Sequence, residues 1–164
     1  MVELIVVLVL AGILAAIGVG RYFDRPAFDV PAYAEQVRAM LRFGQKVAVA
    51  RNRDVYVRFE ANRISLCHAV PTGGCPANRQ VLVPGGFSAD DDASRSQCGN
   101  GNWYCLGKPA GMSWSTAPAP DWLKFDALGR PLLPGDAAGA LTLSISGGKE
   151  RASVQVFEET GYVQ

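Results

Sequence analysis

The chain has 164 residues, of which 49% are hydrophobic and 19% are charged, and its formal net charge at pH 7 is +1. This length leaves room for one soluble domain with a real core besides a terminal segment, which excludes a large multidomain protein. A protein that coats nucleic acid relies on a general excess of Lys and Arg, so the near-neutral charge argues against that class.

The first element is an apolar run over residues 1–20, in which Glu3 is the one ionisable side chain. As a helix, a run of this length extends about 30 Å, enough to cross the hydrocarbon core of a bilayer. An ionised carboxylate is costly in lipid, so Glu3 is expected to meet a group that neutralises it. A cleaved signal peptide fits less well, because its apolar region is shorter and follows a basic start. The sequence therefore predicts a transmembrane helix.

The start of this run, Val2-Glu3-Leu4, resembles the amino-terminal segment of type IV pilins and type II secretion pseudopilins. In that family, prepilin peptidase removes a leader and the new terminal Phe is N-methylated. The resemblance implies that Glu3 serves assembly, neutralised by the terminal amine of an adjacent subunit, and that Met1 corresponds to the third mature position. It also implies a single-pass protein of the bacterial inner membrane with a periplasmic head, which later joins a pilus or pseudopilus.

Residues 21–53 are predicted to continue this helix as an amphipathic segment, with breaks at Pro26 and Pro31. From position 31 onward, apolar residues recur at three- and four-residue steps and form a packing stripe. Arg38, Arg42 and Lys46 share another face at i, i+4 and i+8. Such a basic stripe is a candidate contact for DNA phosphates, and a solvated face or a subunit contact is the simpler interpretation.

Residues 54–164 are predicted to form a β-rich globular head. The apolar period changes to two at position 55, and a turn at 60–62 indicates a hairpin. The segment 84–102 is predicted to be irregular. A long helix on a mostly antiparallel sheet is an α+β architecture. The predicted strands are 55–59, 64–67, 81–83, 112–116, 122–126, 141–146 and 152–157.

A second resemblance lies near the carboxyl end, where Phe125-Asp126-Ala-Leu-Gly129-Arg130 precedes a Thr-Leu strand and a Val-rich hairpin. This pattern is similar to that of the GspH/FimT family of minor pilins and pseudopilins. It implies a pilin-like fold, an assembly role, and partners that are other pilins, the inner membrane and, for a precursor with a leader, prepilin peptidase. The alternative is a pilus-associated binding module, a DNA-uptake receptor or an adhesin. DNA-binding members carry a terminal Gly-Arg-x-Arg element, whereas this chain ends Gly161-Tyr-Val-Gln164.

The four cysteines all lie in the head, and they allow three disulfide pairings. Neighbour pairing would close two short loops, each worth about 2–3 kcal/mol in the chain-entropy model. Disulfides persist outside the cytosol, which favours the periplasm or the cell surface. A zinc site is the competing interpretation, but no pair has the spacing typical of zinc ligands. The cysteines are Cys67, Cys75, Cys98 and Cys105.

Signs of catalysis are weak in this sequence. The only histidine, His68, follows Cys67 directly, and adjacent residues of an extended segment point to opposite faces. No nucleophile elbow, phosphate loop or His-Glu-x-x-His motif is present in the 164 residues. Asp90, Asp91 and Asp92 offer oxygens to calcium, but three adjacent acids are more often a solvated loop. We expect a protein that is not an enzyme and needs neither metal nor cofactor.

Overall fold

The structure is a computed structural model that describes residues 2–22, 26–70, 73–85, 91–99 and 102–164. Two long helices come first, α1 over Val2–Tyr22 and α2 over Pro26–Ala50. The third helix, α3, covers Asp92–Cys98. The described residues contain nine strands: β1 Val55–Phe59, β2 Arg63–Cys67, β3 Cys105–Gly107, β4 Met112–Ala117, β5 Trp122–Phe125, β6 Pro131–Leu133, β7 Ala137–Ala138, β8 Leu141–Gly147 and β9 Glu150–Val156.

The first part of helix α1 presents its apolar side chains to the outside. From Val2 to Leu14 every side chain is exposed, and these two terminal residues retain 75% and 71% of their accessible surface. In the part of the chain that the structure describes, we find no helix with the length and apolarity needed to cross a membrane. The span over residues 1–20 stays a prediction.

Helix α2 supplies one wall of the core. Its buried face repeats at three- and four-residue steps and includes Val30, Val37 and Leu41, each fully buried. Pro31 lies inside α2 and does not end it, because a proline near a helix start removes a single backbone hydrogen bond. At Gly44 an added Cβ would lie 3.2 Å from Leu66 Cδ2, so the missing side chain lets α2 approach β2 closely.

The strands form two antiparallel sheets. The larger has the order β3-β2-β1-β5-β6-β7 and the smaller the order β4-β8-β9. Helix α2 contacts β1 and β5 of the larger sheet and β8 and β9 of the smaller one. Along β8, Leu141, Leu143 and Ile145 alternate inward, as the period of two requires. The core therefore lies between α2 and both sheets, which confirms the predicted α+β architecture of a long helix on mostly antiparallel strands.

The structure departs from the sequence-based prediction in the middle of the chain. The sequence predicts a strand over residues 81–83, but these residues contribute one isolated bridge, Leu82 with Trp103. The predicted irregular segment 84–102 contains α3, which Asp91 caps by accepting a hydrogen bond from the Ser94 backbone N–H at 2.7 Å. Seven residues are too few to show helical periodicity in a sequence, so the cap was the available signal.

Candidate functional site

The amino-terminal end carries the predicted assembly residue. Glu3 lies in the first turn of α1 and is exposed beside Val2 and Leu4. Among the described residues, none forms an ion pair or a hydrogen bond with its carboxylate. Its surroundings are the exposed apolar side chains of α1 itself. Its role in assembly stays a prediction.

The basic stripe on α2 is largely directed at the head of its own chain. Arg38 pairs with Glu35, and its Nη2 donates to the carbonyl oxygen of Ser153 at 3.0 Å. Arg42 donates from Nε and Nη2 to the carbonyl oxygen of Val163, at 3.1 and 2.8 Å. Lys46 is exposed. Two of the three side chains predicted to contact DNA therefore form hydrogen bonds within their own chain.

Gln45 extends this row of side-chain contacts toward the carboxyl end of α2. Its Nε2 donates to the carbonyl oxygens of Gly129 at 2.9 Å and Thr160 at 2.8 Å. Gly161 follows with a φ of +64°, and an added Cβ there would collide with the Gly129 carbonyl. One helix face thus holds β9, the 126–130 turn and the carboxyl terminus together. Gln45 carries no signal in the sequence, because an amide on a helix face belongs to no motif.

Asp126 organises the Phe-Asp-x-x-Gly-Arg turn. Its Oδ1 accepts hydrogen bonds from the backbone N–H groups of Leu128 at 2.9 Å and Arg130 at 2.8 Å, and its Oδ2 accepts from Arg130 Nε at 2.9 Å. Burial by itself raises the pKa of the Asp126 carboxyl, but these hydrogen bonds and the Arg130 charge outweigh it and lower the pKa. The motif is therefore structural: it shapes the turn that Gln45 grips.

The cysteines form two disulfides between sequence neighbours, Cys67 with Cys75 and Cys98 with Cys105, each with a Cα–Cα distance of 5.9 Å. The first ties the end of β2 to the following loop, and the second ties the end of α3 to the start of β3. No free cysteine occurs among the described residues. The zinc interpretation is wrong, because the sulfurs are covalently paired.

His68 has a structural environment. Its ring Nδ1 lies 3.1 Å from the Asp54 carbonyl oxygen, and the residue retains only 9% of its accessible surface. Burial lowers the pKa of the imidazole, and the charges of Arg53, Arg51 and Arg79 lower it further against the opposing hydrogen bond. Since Cys67 is in a disulfide, the adjacent thiol cannot act as a nucleophile with His68 as its base.

The acidic run is occupied by local contacts where the structure describes it. Asp91 caps α3, and Asp92 pairs with Arg95 through Nη2 at 2.9 Å. Asp90 lies outside the described residues. In the ranges the structure covers, no group of three His, Cys, Asp or Glu side chains is arranged to hold a metal ion.

An exposed aromatic surface lies at the carboxyl end of the head, where no sequence motif points to it. Phe157 and Tyr162 retain 43% and 56% of their accessible surface, and their ring centroids are 6.0 Å apart. Together with Ala140, Glu158, Glu159 and Thr160 they line an open cleft of about 790 Å³.

Two solved proteins share this architecture. The type IV minor pilin FimU of Pseudomonas aeruginosa superposes with a TM-score of 0.53 at 16% identity, over 83% of this chain and 87% of that one. The minor pseudopilin EpsH from the type 2 secretion system of Vibrio cholerae gives a TM-score of 0.52 at 17% identity, over 82% and 94%. No family model and no curated protein matches the sequence. At these identities the likeness establishes the fold, which is that of a minor pilin or pseudopilin head behind an apolar helix.

Proposed function

We propose that this chain is an assembly subunit, a minor pilin of a type IV pilus or a minor pseudopilin of a type II secretion pseudopilus. The observation that carries the proposal is the combination of an exposed apolar helix α1 with a head that has the fold of FimU and EpsH. An enzyme or a free-standing binding protein would not require an exposed apolar helix in front of such a head. A helix of this kind is stable only where apolar surface covers it.

Two environments offer that cover in turn. Before assembly the lipid bilayer surrounds residues 1–20, and after assembly the helices of neighbouring subunits do so. Each Å² of apolar surface removed from water contributes about 25 cal/mol, so exposing this helix to water would be strongly unfavourable. In the fibre, the terminal amine of an adjacent subunit neutralises Glu3 and sets the axial register. The membrane stage rests on the length and apolarity of residues 1–20, and the N-methylation and the processing by prepilin peptidase rest on the sequence resemblance.

Substitution of Glu3 tests this assignment. We expect Glu3→Ala and Glu3→Gln both to reduce recovery of the subunit in sheared fibres, because each removes the negative charge. Asp121→Ala serves as the matched control, since that carboxylate is exposed on the head and lies apart from α1. Near-ultraviolet circular dichroism of each purified variant reports whether the head is folded. Unchanged recovery of both Glu3 variants would contradict the assembly role.

Cross-linking through cysteines introduced between Leu8 and Leu14 tests the helix contact itself. An assembling subunit should give helix-to-helix products with other pilins, because these side chains are exposed and apolar. A single-span periplasmic protein that never assembles should give none.

DNA binding through Arg38, Arg42 and Lys46 stays a prediction. We expect it to be weak, since the guanidinium groups of Arg38 and Arg42 already donate to backbone carbonyls. A gel-shift titration at low and moderate salt measures it, because binding to phosphates falls steeply as salt rises. The same assay distinguishes a DNA-uptake receptor from an adhesin, which would show no shift.

A further inference from the structure

The β8–β9 hairpin carries opposite charge at its two ends. Lys149 and Arg151 flank Glu150 at the turn, and all three side chains are exposed. Past the other end of β9, Glu158 and Glu159 form the next turn, also exposed. Strands of seven residues extend about 24 Å at 3.4 Å per residue, so the basic turn and the acidic turn of one molecule cannot meet.

This charge separation runs along the axis of α2. At the basic end, an added Cβ on Gly147 would lie 2.8 Å from Val30 Cγ2, near the start of the helix. At the acidic end, the Thr160 carbonyl accepts its hydrogen bond from Gln45. Fifteen residues of α-helix separate these two contacts, which is about 22 Å. The basic end therefore faces back toward α1, and the acidic end faces away from it.

The acidic end is the cleft of about 790 Å³ lined by Phe157, Tyr162 and the two glutamates. Neither Glu158 nor Glu159 forms an ion pair or a side-chain hydrogen bond with any described residue. The aromatic rings are inclined by 37° at a centroid distance of 6.0 Å, and both side chains are exposed to solvent. Aromatic faces beside free carboxylates form a site for a cation on a long apolar stem, such as a lysine.

Lysine at position 149 has the complementary properties. It stands at the tip of a hairpin, next to Gly148 with a φ of +60°, so a narrow turn presents its ammonium. Within the described residues, neither Lys149 nor Arg151 forms an ion pair. The turn has a local charge of +1 and the cleft a charge of −2 from its glutamates, so the two surfaces attract each other.

We propose that the β8–β9 turn of one copy of this chain docks in the carboxyl-terminal cleft of a second copy, with Lys149 between the aromatic rings and the glutamates. The two surfaces lie at opposite ends of the molecule, so the contact is heterologous and repeats head to tail rather than closing as a dimer. The proposal deepens the assembly role and rests on it only for its place along a fibre axis.

Zero-length cross-linking by a carbodiimide tests the contact directly, since it joins an amine to a carboxylate only where they touch. An isotope-labelled and an unlabelled preparation of the full chain are mixed in detergent micelles before reaction. We expect mixed-isotope peptides that join Lys149 to Glu158 or Glu159. The pair Lys124 Nζ and Asp136 Oδ1, 2.5 Å apart, provides the internal positive control within one chain.

Charge variants complete the experiment. Lys149→Gln should abolish the mixed-isotope product, and Lys46→Gln, the matched control, should leave it unchanged. Two charge-reversed proteins are then compared, the single variant Lys149→Glu and the double variant Glu158→Lys/Glu159→Lys. Each by itself should lower salt-sensitive association by at least tenfold in sedimentation velocity. Mixing the two charge-reversed proteins should restore it. Absence of the product while the Lys124–Asp136 link forms, or no restoration on mixing, would overturn the proposal.

The two hypotheses fail separately. If the Glu3 variants are lost from fibres as expected but the cross-link is absent, the assembly role stands and another surface makes the head contact. If the cross-link forms but the Glu3 variants still enter fibres, the head contact stands and the assembly mechanism is wrong.

Discussion

Near the carboxyl end of α2, single side chains that each make several hydrogen bonds hold separate segments of the head together. Gln45 uses one amide nitrogen to join two carbonyls that are 31 residues apart in sequence, Gly129 and Thr160. Asp126 uses two oxygens to shape the turn that presents Gly129. These contacts are local in space and distant along the chain, so each is sensitive to a single substitution.

Gly161 is the residue where an added methyl group should matter most. With φ at +64°, alanine there incurs backbone strain of about 1–2 kcal/mol. Its Cβ would also meet the Gly129 carbonyl and the Gln45 amide, which adds about 1–3 kcal/mol of overpacking. Gly135→Ala is the matched control, because its φ is +85° with no atom within 4 Å of the added Cβ. Equal urea midpoints for the two variants would contradict the packing argument.

The pKa of His68 should lie below its ordinary value of 6.5, because burial disfavours the charged imidazole. The unfolded chain then binds the proton more readily than the folded one. The contribution of neutral His68 to the free energy of unfolding is fully present above pH 6.5, and it declines as the pH falls from 6.5 toward the folded pKa. As the chain has one histidine, an NMR titration reads its pKa without overlap. His68→Gln should flatten this part of the stability profile, and a measured pKa of 6.5 or higher would refute the claim.

At the scale of elements, α2 has two faces with different tasks. The buried face, with Val30, Val37 and Leu41, packs on both sheets. The face with Arg38, Arg42 and Gln45 binds backbone carbonyls of the smaller sheet and the turns beside it. The carboxyl terminus pairs with β9 through Gln155 and Gln164, each donating to the other at 2.9 Å. Through Arg42 and Gln45, helix α2 therefore fastens the carboxyl-terminal segment beside β9.

Arg42→Met tests this fastening, since methionine keeps the apolar stem and loses the guanidinium. We expect stability to fall by about 1.5 kcal/mol, the lower end of the range for a hydrogen bond to a charged group, because the site is partly exposed. Amide exchange at Gln155 and Gln164 should accelerate more than exchange in β8. Lys46→Met, one turn along α2 and exposed, should leave both unchanged. Uniform exchange across the smaller sheet in Arg42→Met would show that the clamp is not local.

At the scale of the whole molecule, the chain divides into an apolar rod and a self-contained head. The hydrophobic cluster begins at Val30 and ends at Val163, and the described α1 side chains from Val2 to Leu14 are all exposed. Both disulfides lie inside the head. All described members of the core therefore lie in the head.

A fragment that begins at Pro26 should therefore fold by itself. We expect a cooperative urea transition within about 0.5 kcal/mol of the detergent-solubilised full chain, since no described core residue is removed. Mass spectrometry after alkylation should find no free thiol in either protein. The fragment should be soluble without detergent. A transition that is broad or shifted by several kcal/mol would mean that α1 contributes to the core.

Much of the fold was readable in the sequence because it depends on local periodicity. The stripe of α2, the alternation in β1, β8 and β9 and the even cysteine count each follow from residues close in the chain. Helix α3 was missed because it has seven residues, and residues 81–83 were predicted as a strand although they form only one isolated bridge. An apolar triplet indicates burial, but pairing depends on which strands lie beside it.

The sequence by itself determined that this protein has an apolar terminal helix with one carboxylate, followed by a disulfide-containing α+β head, since composition and period express those properties directly. Only the tertiary structure decided that Arg38 and Arg42 bind their own head and that the cysteines pair as neighbours. It also placed a basic turn and an acidic aromatic cleft at opposite ends of one sheet. Those are relations between distant segments, and the path of the folded backbone alone sets which of them meet.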